Sequence, residues 1–127
     1  MARILLVDDD DAIVRLLKLL LLEDGEHDVR TAECARDALH ELPTFAPDLL
    51  ITDYRLPDLD GLTLVQTARQ AGYQGAVLML TASASGDSIV ESLRTELGSE
   101  SVYLKPFDID EFVDHAMALL DRAHVLE

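Results

Sequence analysis

Four consecutive aspartates, Asp8 to Asp11, directly follow the apolar run Ile4–Val7. Carboxylates about 5 Å apart repel each other by roughly 3 kcal/mol per pair at an effective dielectric of about 20, so a folded chain needs a reason to keep them together. A bound cation, a nearby ammonium group or solvent would supply that reason. Taken alone, the run slightly favours a solvated loop in which one aspartate caps the next helix.

Other polar residues follow later apolar runs in the same way. Asp53 comes after Leu49–Thr52, Thr81 ends Ala76–Thr81, and Lys105 comes after Val102–Leu104. Short apolar runs that alternate with stretches of helical spacing are typical of βα repeats, which form parallel sheets. Ligands bind beyond the carboxyl ends of the strands in such sheets. We therefore expect Asp8, Asp9, Asp53, Thr81 and Lys105 to meet at one edge.

The periodicity predicts five strands and five helices in alternation, with helices on both faces of the sheet because crossovers are right-handed. The predicted strands are Arg3–Val7, Asp28–Ala32, Leu49–Thr52, Ala76–Thr81 and Val102–Leu104. The predicted helices are about Asp11–Glu23, Cys34–Leu42 (stopping at Pro43), Leu62–Ala71, Asp87–Leu97 and a fifth from near Asp108. In the first helix we expect a core stripe of Ile13, Leu16, Leu17 and Leu20, with Leu22 projecting beside Arg15 and Lys18.

Composition narrows the class of protein. The chain has 127 residues, of which 49% are hydrophobic, and this predicts one domain with a real core. Its net charge of -15 disfavours direct binding to nucleic acid or to anionic membranes. The apolar stretch Leu16–Leu22 is too short to span a bilayer. Cys34 is the only cysteine, which, without a secretory signal, indicates a cytoplasmic protein.

We expect residues 1–123 to form the domain, with 124–127 a short tail that is partly a cloning remnant. The predicted fifth helix ends where the chain ends, so no room is expected for a DNA-binding or catalytic output domain.

The residue types at the predicted edge point to metal-assisted phosphoryl chemistry. Asp8, Asp9 and Asp53 would form a hard oxygen site of the kind that Mg²⁺ prefers. The Thr81 hydroxyl and the Lys105 ammonium suit the oxygens of a phosphoryl group. Asp53 is the best candidate nucleophile, since it stands alone and central. Each residue has a plainer interpretation in isolation, as a turn, a strand end or a solvated charge, and only their joint placement favours a site.

At this point the chain resembles the receiver domains of response regulators in two-component signalling, from Arg3 to about Ala123. The resemblance rests on Val7-Asp8-Asp9, Asp53 with Leu56-Pro57 and Asp60-Gly61, Leu80-Thr81-Ala82, and Lys105-Pro106-Phe107. It implies a single doubly wound (βα)5 domain of the α/β class, with a five-stranded parallel sheet of order 2-1-3-4-5. It also implies a phosphorylation-controlled switch that acts on a downstream protein not named by the sequence.

The resemblance assigns roles to residues. Asp53 would accept a phosphoryl group from a sensor histidine kinase or a histidine phosphotransfer protein. Asp9, Asp53 and the backbone carbonyl of Arg55 would bind Mg²⁺, and Asp8 would act mainly through a metal-bound water. Thr81 and Lys105 would hold the phosphoryl oxygens, and movement of Thr81 would transmit the signal. Such domains catalyse their own phosphorylation and dephosphorylation without being ordinary enzymes.

Three further expectations concern single residues. The peptide bond between Lys105 and Pro106 is cis in the family, and proline makes this chemically reasonable. Asp11 is interpreted as the cap of the first helix, and Asp10 is left without an assigned role. Asp60-Gly61 is interpreted as an acidic residue near a helix start followed by a flexible turn.

The chain departs from the family at the position three residues before the lysine, where an aromatic residue often swings inward on phosphorylation. Val102 stands there, and strand alternation should turn the next residue, Tyr103, to the opposite face. We therefore expect a switch without a rotating aromatic, unless a local bulge restores Tyr103. Arg55 and Ser83 occupy positions that tune phosphoryl lifetime in the family. Arg55 either covers the site, pairs with an acidic neighbour such as Asp9, or is a surface arginine.

Two other functions compete with this interpretation. An aspartate-based phosphohydrolase would carry a second aspartate two residues after its nucleophile, where this chain has Arg55. A receiver-like module that binds partners without phosphorylation would be signalled by loss of the acidic pair, the acceptor or the lysine, and all of these are present.

Overall fold

Five parallel strands form one sheet in the computed structural model, which describes residues 2–82, 88–105 and 108–125. The strands are β1 Arg3–Val7, β2 Asp28–Ala32, β3 Leu49–Asp53, β4 Ala76–Ala82 and β5 Val102–Lys105. Their order is β2-β1-β3-β4-β5, and every neighbouring pair is parallel. The predicted doubly wound α/β fold is confirmed.

The helices cover both faces of this sheet. They are α1 Asp11–Asp24, α2 Ala35–Phe45, α3 Gly61–Gln70, α4 Ser88–Leu97 and α5 Ile109–Val125, with a 3₁₀ turn at Ser99–Ser101. In β1, Ile4 and Leu6 pack with α1 and α5, whereas Leu5 and Val7 pack with α2 and α3. Because both faces are buried, the central strands are apolar at successive positions. None of the described helices is long and apolar enough to cross a membrane.

The last three strands each run one residue further than predicted. Asp53 pairs with Leu80, and Ala82 pairs with Lys105. The reason is that ladder pairing depends on backbone groups, so a polar side chain at the end of a strand does not stop it. Asp53 and Lys105 therefore leave the sheet from paired, fixed positions at its carboxyl edge.

Two predictions about helices were wrong. α2 does not stop at Pro43 but continues to Phe45, where Ala46 closes it with a φ of 48° and its N–H bonds to Leu42. Proline removes one helical hydrogen bond, whereas the longer helix buries Phe45 to 3% exposure in the core. In α1, Leu16 is 42% exposed and Leu21 is buried instead. A segment made almost entirely of leucine has little polar contrast, so its sequence does not fix which side faces the core.

Candidate functional site

Three carboxylates meet at the carboxyl edge of the sheet. Asp8, Asp9 and Asp53 each present an oxygen, and these atoms lie within 4.8 Å of one another. β1 and β3 are neighbours in the sheet, which brings the residues following one beside the end of the other. Asp8 is buried, Asp53 is half-buried and Asp9 is exposed. The cluster is thus closed on the protein side and open to solvent at Asp9.

A single ammonium group lies beside two of these carboxylates. The Nζ of Lys105 is 3.5 Å from Asp8 Oδ2 and 3.4 Å from Asp53 Oδ1. Lys105 ends β5, and its long side chain spans the end of β4 to reach β3 and β1. Both distances are longer than those of a good hydrogen bond. Lys105 therefore offsets part of the repulsion without fully satisfying either carboxylate.

Asp8 is the least satisfied member of the cluster. Its Oδ1 accepts a hydrogen bond of 2.9 Å from the Asp10 N–H, but its buried Oδ2 accepts none and has only the long ion pair with Lys105. Burial raises the pKa of Asp8 above its usual value, and the negative charge of Asp53 also raises it. The hydrogen bond from the Asp10 N–H and the positive charge of Lys105 lower the pKa, but the net shift is upward. A buried oxygen without a hydrogen bond costs about 1–3 kcal/mol. A cation at the cluster would remove much of that cost.

The donor set fits Mg²⁺, because all three side chains offer hard oxygen atoms. A further oxygen, the backbone carbonyl of Arg55, lies on the loop that follows β3. Arg55 lies opposite Asp60 in an isolated antiparallel bridge across this loop. Next to this bridge, the Gly61 N–H donates a hydrogen bond of 2.6 Å to the Tyr54 carbonyl. Among the described residues, no hydrogen bond ends on the Arg55 carbonyl.

Gly61 is where α3 comes closest to Asp53. A Cβ on Gly61 would stand 2.5 Å from the Asp53 carbonyl oxygen and 2.7 Å from Met79 Sδ. The expectation of a flexible turn was wrong: Gly61 is buried in the first turn of α3, and close packing requires its lack of a side chain. Asp60 caps the helix, accepting the Thr63 N–H at 2.7 Å.

Thr81 lies near the end of β4, between the strands that carry Asp53 and Lys105. It is 5% exposed, and its hydroxyl donates to the Ala82 carbonyl at 3.3 Å. That long bond is the hydroxyl's only described one, so the group can turn to another acceptor at modest cost. The structure thus brings Thr81 to the same edge as the carboxylates and the lysine.

The aspartate run divides differently from the prediction. Asp10, not Asp11, is the N-cap of α1, and its Oδ1 accepts from the N–H groups of Ala12 and Ile13. The physical reason is that a cap residue must have extended backbone angles, and Asp10 has them, whereas Asp11 is already the first helical residue. Asp11 is exposed.

Val102 and Tyr103 point to opposite faces of the sheet, as strand alternation predicted. Val102 belongs to the core beneath α2, α3 and α4, and Tyr103 packs on α5. The Tyr103 ring contacts Phe112 edge-on, with 5.6 Å between centroids, and lies 5.0 Å from the His115 ring. β5 pairs with β4 in unbroken register, so the described strand contains no bulge that would turn Tyr103 around.

Burial raises the pKa of the Tyr103 hydroxyl above its usual value, and the negative charges of Glu111 and Asp108 raise it further.

The remaining predicted residues are less informative. Arg55 is exposed and forms no ion pair with any described residue, so the alternative in which it pairs with Asp9 is not seen. Ser83 and Pro106, with the predicted cis peptide bond, lie outside the described residues.

Sequence reasoning missed Asp58, on the loop between β3 and α3. Its Oδ1 accepts the Ala35 N–H and its Oδ2 the Arg36 N–H, both at 2.9 Å, at the start of α2. These backbone hydrogen bonds, from Arg36 and then Ala35, lower the pKa of Asp58. Pro57-Asp58 reads as an ordinary turn, and nothing in the sequence signals a partner so far away in the chain.

An apolar groove of about 330 Å³ lies at the opposite edge of the sheet. Its walls include Leu42, Pro47 and Tyr73, and it contains none of the predicted site residues. This groove therefore lies away from the residues that could carry out the chemistry.

A doubly wound parallel sheet with an acidic cluster, a threonine and a lysine at its carboxyl edge defines an α/β domain whose ligands bind at that edge. Comparison with known proteins identifies which one. The chain belongs to the response regulator receiver domain family, whose model matches residues 4–117. It is therefore a module of two-component signalling.

Several relatives illustrate this membership. The transcriptional regulatory protein TrcR of Mycobacterium tuberculosis is 35% identical over 98% of this chain and 48% of its own length. The alkaline phosphatase synthesis regulator PhoP of Bacillus subtilis is 37% identical over 97% and 50%. The receiver domain of a LuxO repressor protein from Vibrio parahaemolyticus superposes with a TM-score of 0.84 at 29% identity, covering 98% of this chain and 93% of that one. The chain spans about half the length of the two curated relatives.

Proposed function

We propose that the chain is a phosphorylation-controlled switch in which Asp53 accepts a phosphoryl group from a phosphohistidine donor. The observation that carries the proposal is the position of Asp53, which shares an oxygen cluster with Asp8 and Asp9 and an ion pair with Lys105. A nucleophilic carboxylate needs positive charge close by to accept an anionic donor, and Lys105 supplies part of it.

The reaction is a phosphoryl transfer followed by hydrolysis. An Asp53 carboxylate oxygen attacks the phosphorus, the phosphorus–nitrogen bond of the donor breaks, and its electron pair returns to the imidazole nitrogen. The product is an acyl phosphate on Asp53. Water then attacks the phosphorus and releases inorganic phosphate, which restores the carboxylate. Lys105 would balance charge on the transferred group, and the Thr81 hydroxyl would donate a hydrogen bond to one of its oxygens.

Asp9, Asp53 and the Arg55 carbonyl would hold Mg²⁺, with Asp8 contributing through a bound water. The unsatisfied Asp8 Oδ2 supports this assignment. When bound, Mg²⁺ would lower the repulsion between the carboxylates and an anionic donor. In its absence Lys105 is the cation that stabilises the cluster.

The partners follow from this chemistry. The donor would be a sensor histidine kinase or a histidine phosphotransfer protein, and the output a protein contact with a target still to be found. Direct nucleic-acid binding by residues 1–127 is not part of the proposal, since the net charge is -15. We place the receiver domain at residues 1–123 and the protein in the cytoplasm, where phosphohistidine donors draw on ATP.

The test is phosphorylation by a small acyl phosphate with Mg²⁺, followed by intact-mass measurement. The wild type should gain the mass of one phosphoryl group, and Asp53→Asn should gain none. Asp37→Asn is the matched control, because Asp37 is an exposed aspartate on α2 outside the cluster. No gain in the wild type would favour a phosphorylation-independent binding module, and an equal gain in Asp53→Asn would exclude Asp53 as the acceptor.

A further inference from the structure

Asp58 ties the loop after β3 to a helix that is distant in sequence. The loop comprises residues 54–60, and the two carboxylate oxygens of Asp58 each accept a separate backbone N–H, from Ala35 and from Arg36. A third bond, from the Leu59 N–H to Oδ1 at 2.9 Å, fixes the carboxylate to its own loop. Two bonds from one planar group restrain both distance and orientation. The loop and the start of α2 are therefore held in one arrangement.

α2 lacks a cap of its own. Cys34 occupies the N-cap position, and its side chain makes no capping hydrogen bond. Helices usually begin at a Ser, Thr, Asp or Asn that caps them locally. Asp58 supplies the missing acceptor from the loop instead, so the chain has coupled the stability of α2 to the position of this loop.

The same loop carries the Arg55 carbonyl. Its two ends are held by hydrogen bonds from Tyr54 to Leu80 at 2.8 Å and from Gly61 to Tyr54 at 2.6 Å. Between these ends, in the part that the structure describes, the hydrogen bonds from residues 55–59 to other parts of the domain all involve Asp58. The outer part of the loop thus depends on Asp58 for its polar anchoring.

We propose that Asp58 is a positioning residue for the metal site, holding residues 54–60 so that the Arg55 carbonyl is in place before Mg²⁺ binds. The inference rests on the proposed function, since it takes that carbonyl as a ligand. A ligand that is already ordered does not have to be immobilised on binding, which improves affinity. Loss of groups that orient metal ligands typically costs about 10-fold or more in metal affinity.

The experiment separates loop positioning from helix capping. The main comparison is between the wild-type chain of residues 1–127, Asp58→Ala, and the double variant Cys34→Ser with Asp58→Ala, in which the introduced hydroxyl can cap α2 locally. Mg²⁺ affinity is measured by titration calorimetry, stability by urea unfolding, and the order of residues 54–61 by amide hydrogen exchange without metal.

We expect Asp58→Ala to lose stability, to exchange faster in the loop and to bind Mg²⁺ about 10-fold more weakly. The double variant should regain stability but neither loop protection nor Mg²⁺ affinity. Asp58→Asn keeps one acceptor and should fall between the wild type and Asp58→Ala. Asp37→Ala removes a charge from the first turn of the same helix and should change Mg²⁺ affinity much less, which controls for charge alone.

Recovery of Mg²⁺ affinity in the double variant would overturn the proposal, because Asp58 would then act only as a helix cap. Unchanged affinity and loop exchange in Asp58→Ala would overturn it as well. If the wild type bound no Mg²⁺, the metal site of the proposed function would fail, and the role of Asp58 in it would fail too. Normal wild-type binding that Asp58→Ala leaves intact refutes the role of Asp58 alone.

Discussion

The two loops that supply the candidate metal ligands are held in opposite ways. After β1, the side-chain hydrogen bonds are local, since Asp8 accepts the Asp10 N–H and Asp10 accepts the Ala12 N–H, while the Asp8 N–H also donates to the Ala32 carbonyl of β2 at 3.1 Å. After β3, residues 54–60 bond to the neighbouring α3 through Tyr54 and Asp60, but Asp58 accepts from the distant α2 and the Tyr54 N–H donates to β4. The side chains of the first loop are therefore held mainly by residues of the same loop. The second loop keeps its shape only when the rest of the domain is in place.

The largest predicted effect is at Gly61, where the second loop meets α3. Gly61→Ala places a Cβ 2.5 Å from the Asp53 carbonyl oxygen, so backbone must shift, and we expect a loss of about 2–3 kcal/mol in the free energy of unfolding. Urea denaturation measures it. Gly25→Ala is the control, because a Cβ there meets only the movable His27 ring, at 3.3 Å. Equal losses in the two variants would show that the close approach does not constrain the second loop.

The next effect concerns Asp8 in the first loop. Its pKa is raised above 3.8 in the fold, so its ionised form is disfavoured there. The burial of ionised Asp8 therefore destabilises the folded state. This destabilisation is absent below pH 3.8, the pKa in the unfolded chain, and it grows as the pH rises from there to the raised pKa of the folded state. Without Mg²⁺ at neutral pH, Asp8→Asn should therefore be about 1 kcal/mol more stable than the wild type.

Urea unfolding of both proteins across this pH range tests the sign. Mg²⁺ should stabilise the wild type more than Asp8→Asn, because Asp8 would contribute to the metal site through a bound water and a ligand stabilises only the state that binds it. A variant that is less stable than the wild type in metal-free buffer at neutral pH would mean that Lys105 more than compensates the burial of Asp8.

The local bonding of the first loop is tested at Asp10. Asp10→Ala removes the cap of α1 and should cost about 1 kcal/mol of stability. Asp11→Ala should cost only about 0.3 kcal/mol, since Asp11 acts only through the helix dipole. Thermal unfolding of the two variants side by side decides between them. A larger loss for Asp11→Ala would restore the original assignment of the cap.

The smallest effect is the pH dependence of the Asp58 tether. Backbone N–H groups lower its pKa below 3.8, so its contribution to stability is fully present above pH 3.8 and is lost as pH falls through the lowered value. Asp58→Asn should be less stable than the wild type at neutral pH, and the two should converge in acid. Urea midpoints measured against pH test this. A difference that stays constant into acid would mean that the charge of Asp58 does not matter.

The order of strands and helices, and the edge at which the site lies, could be predicted because they depend on the periodicity of apolar residues. Apolar runs of Val, Ile and Leu can only be buried strands when helices separate them, and parallel strands bring their carboxyl ends to one edge. That is why Asp8, Asp53 and Lys105 were placed together from the sequence. Errors arose where the pattern was uniform, as in the leucines of α1 and the aspartates of the first loop, because identical neighbours do not show which one faces the core or caps the helix.

The sequence by itself determined the class of fold, the residues at its carboxyl edge and the family motifs that they form. Only the tertiary structure decided that Asp58 caps α2, that Gly61 packs closely against the Asp53 carbonyl, and that one oxygen of Asp8 stays without a hydrogen bond. For Asp58 and Gly61, the physical reason is that the contacts involve backbone N–H and carbonyl groups. Every residue carries such groups, so no residue type announces which of them a distant side chain will reach.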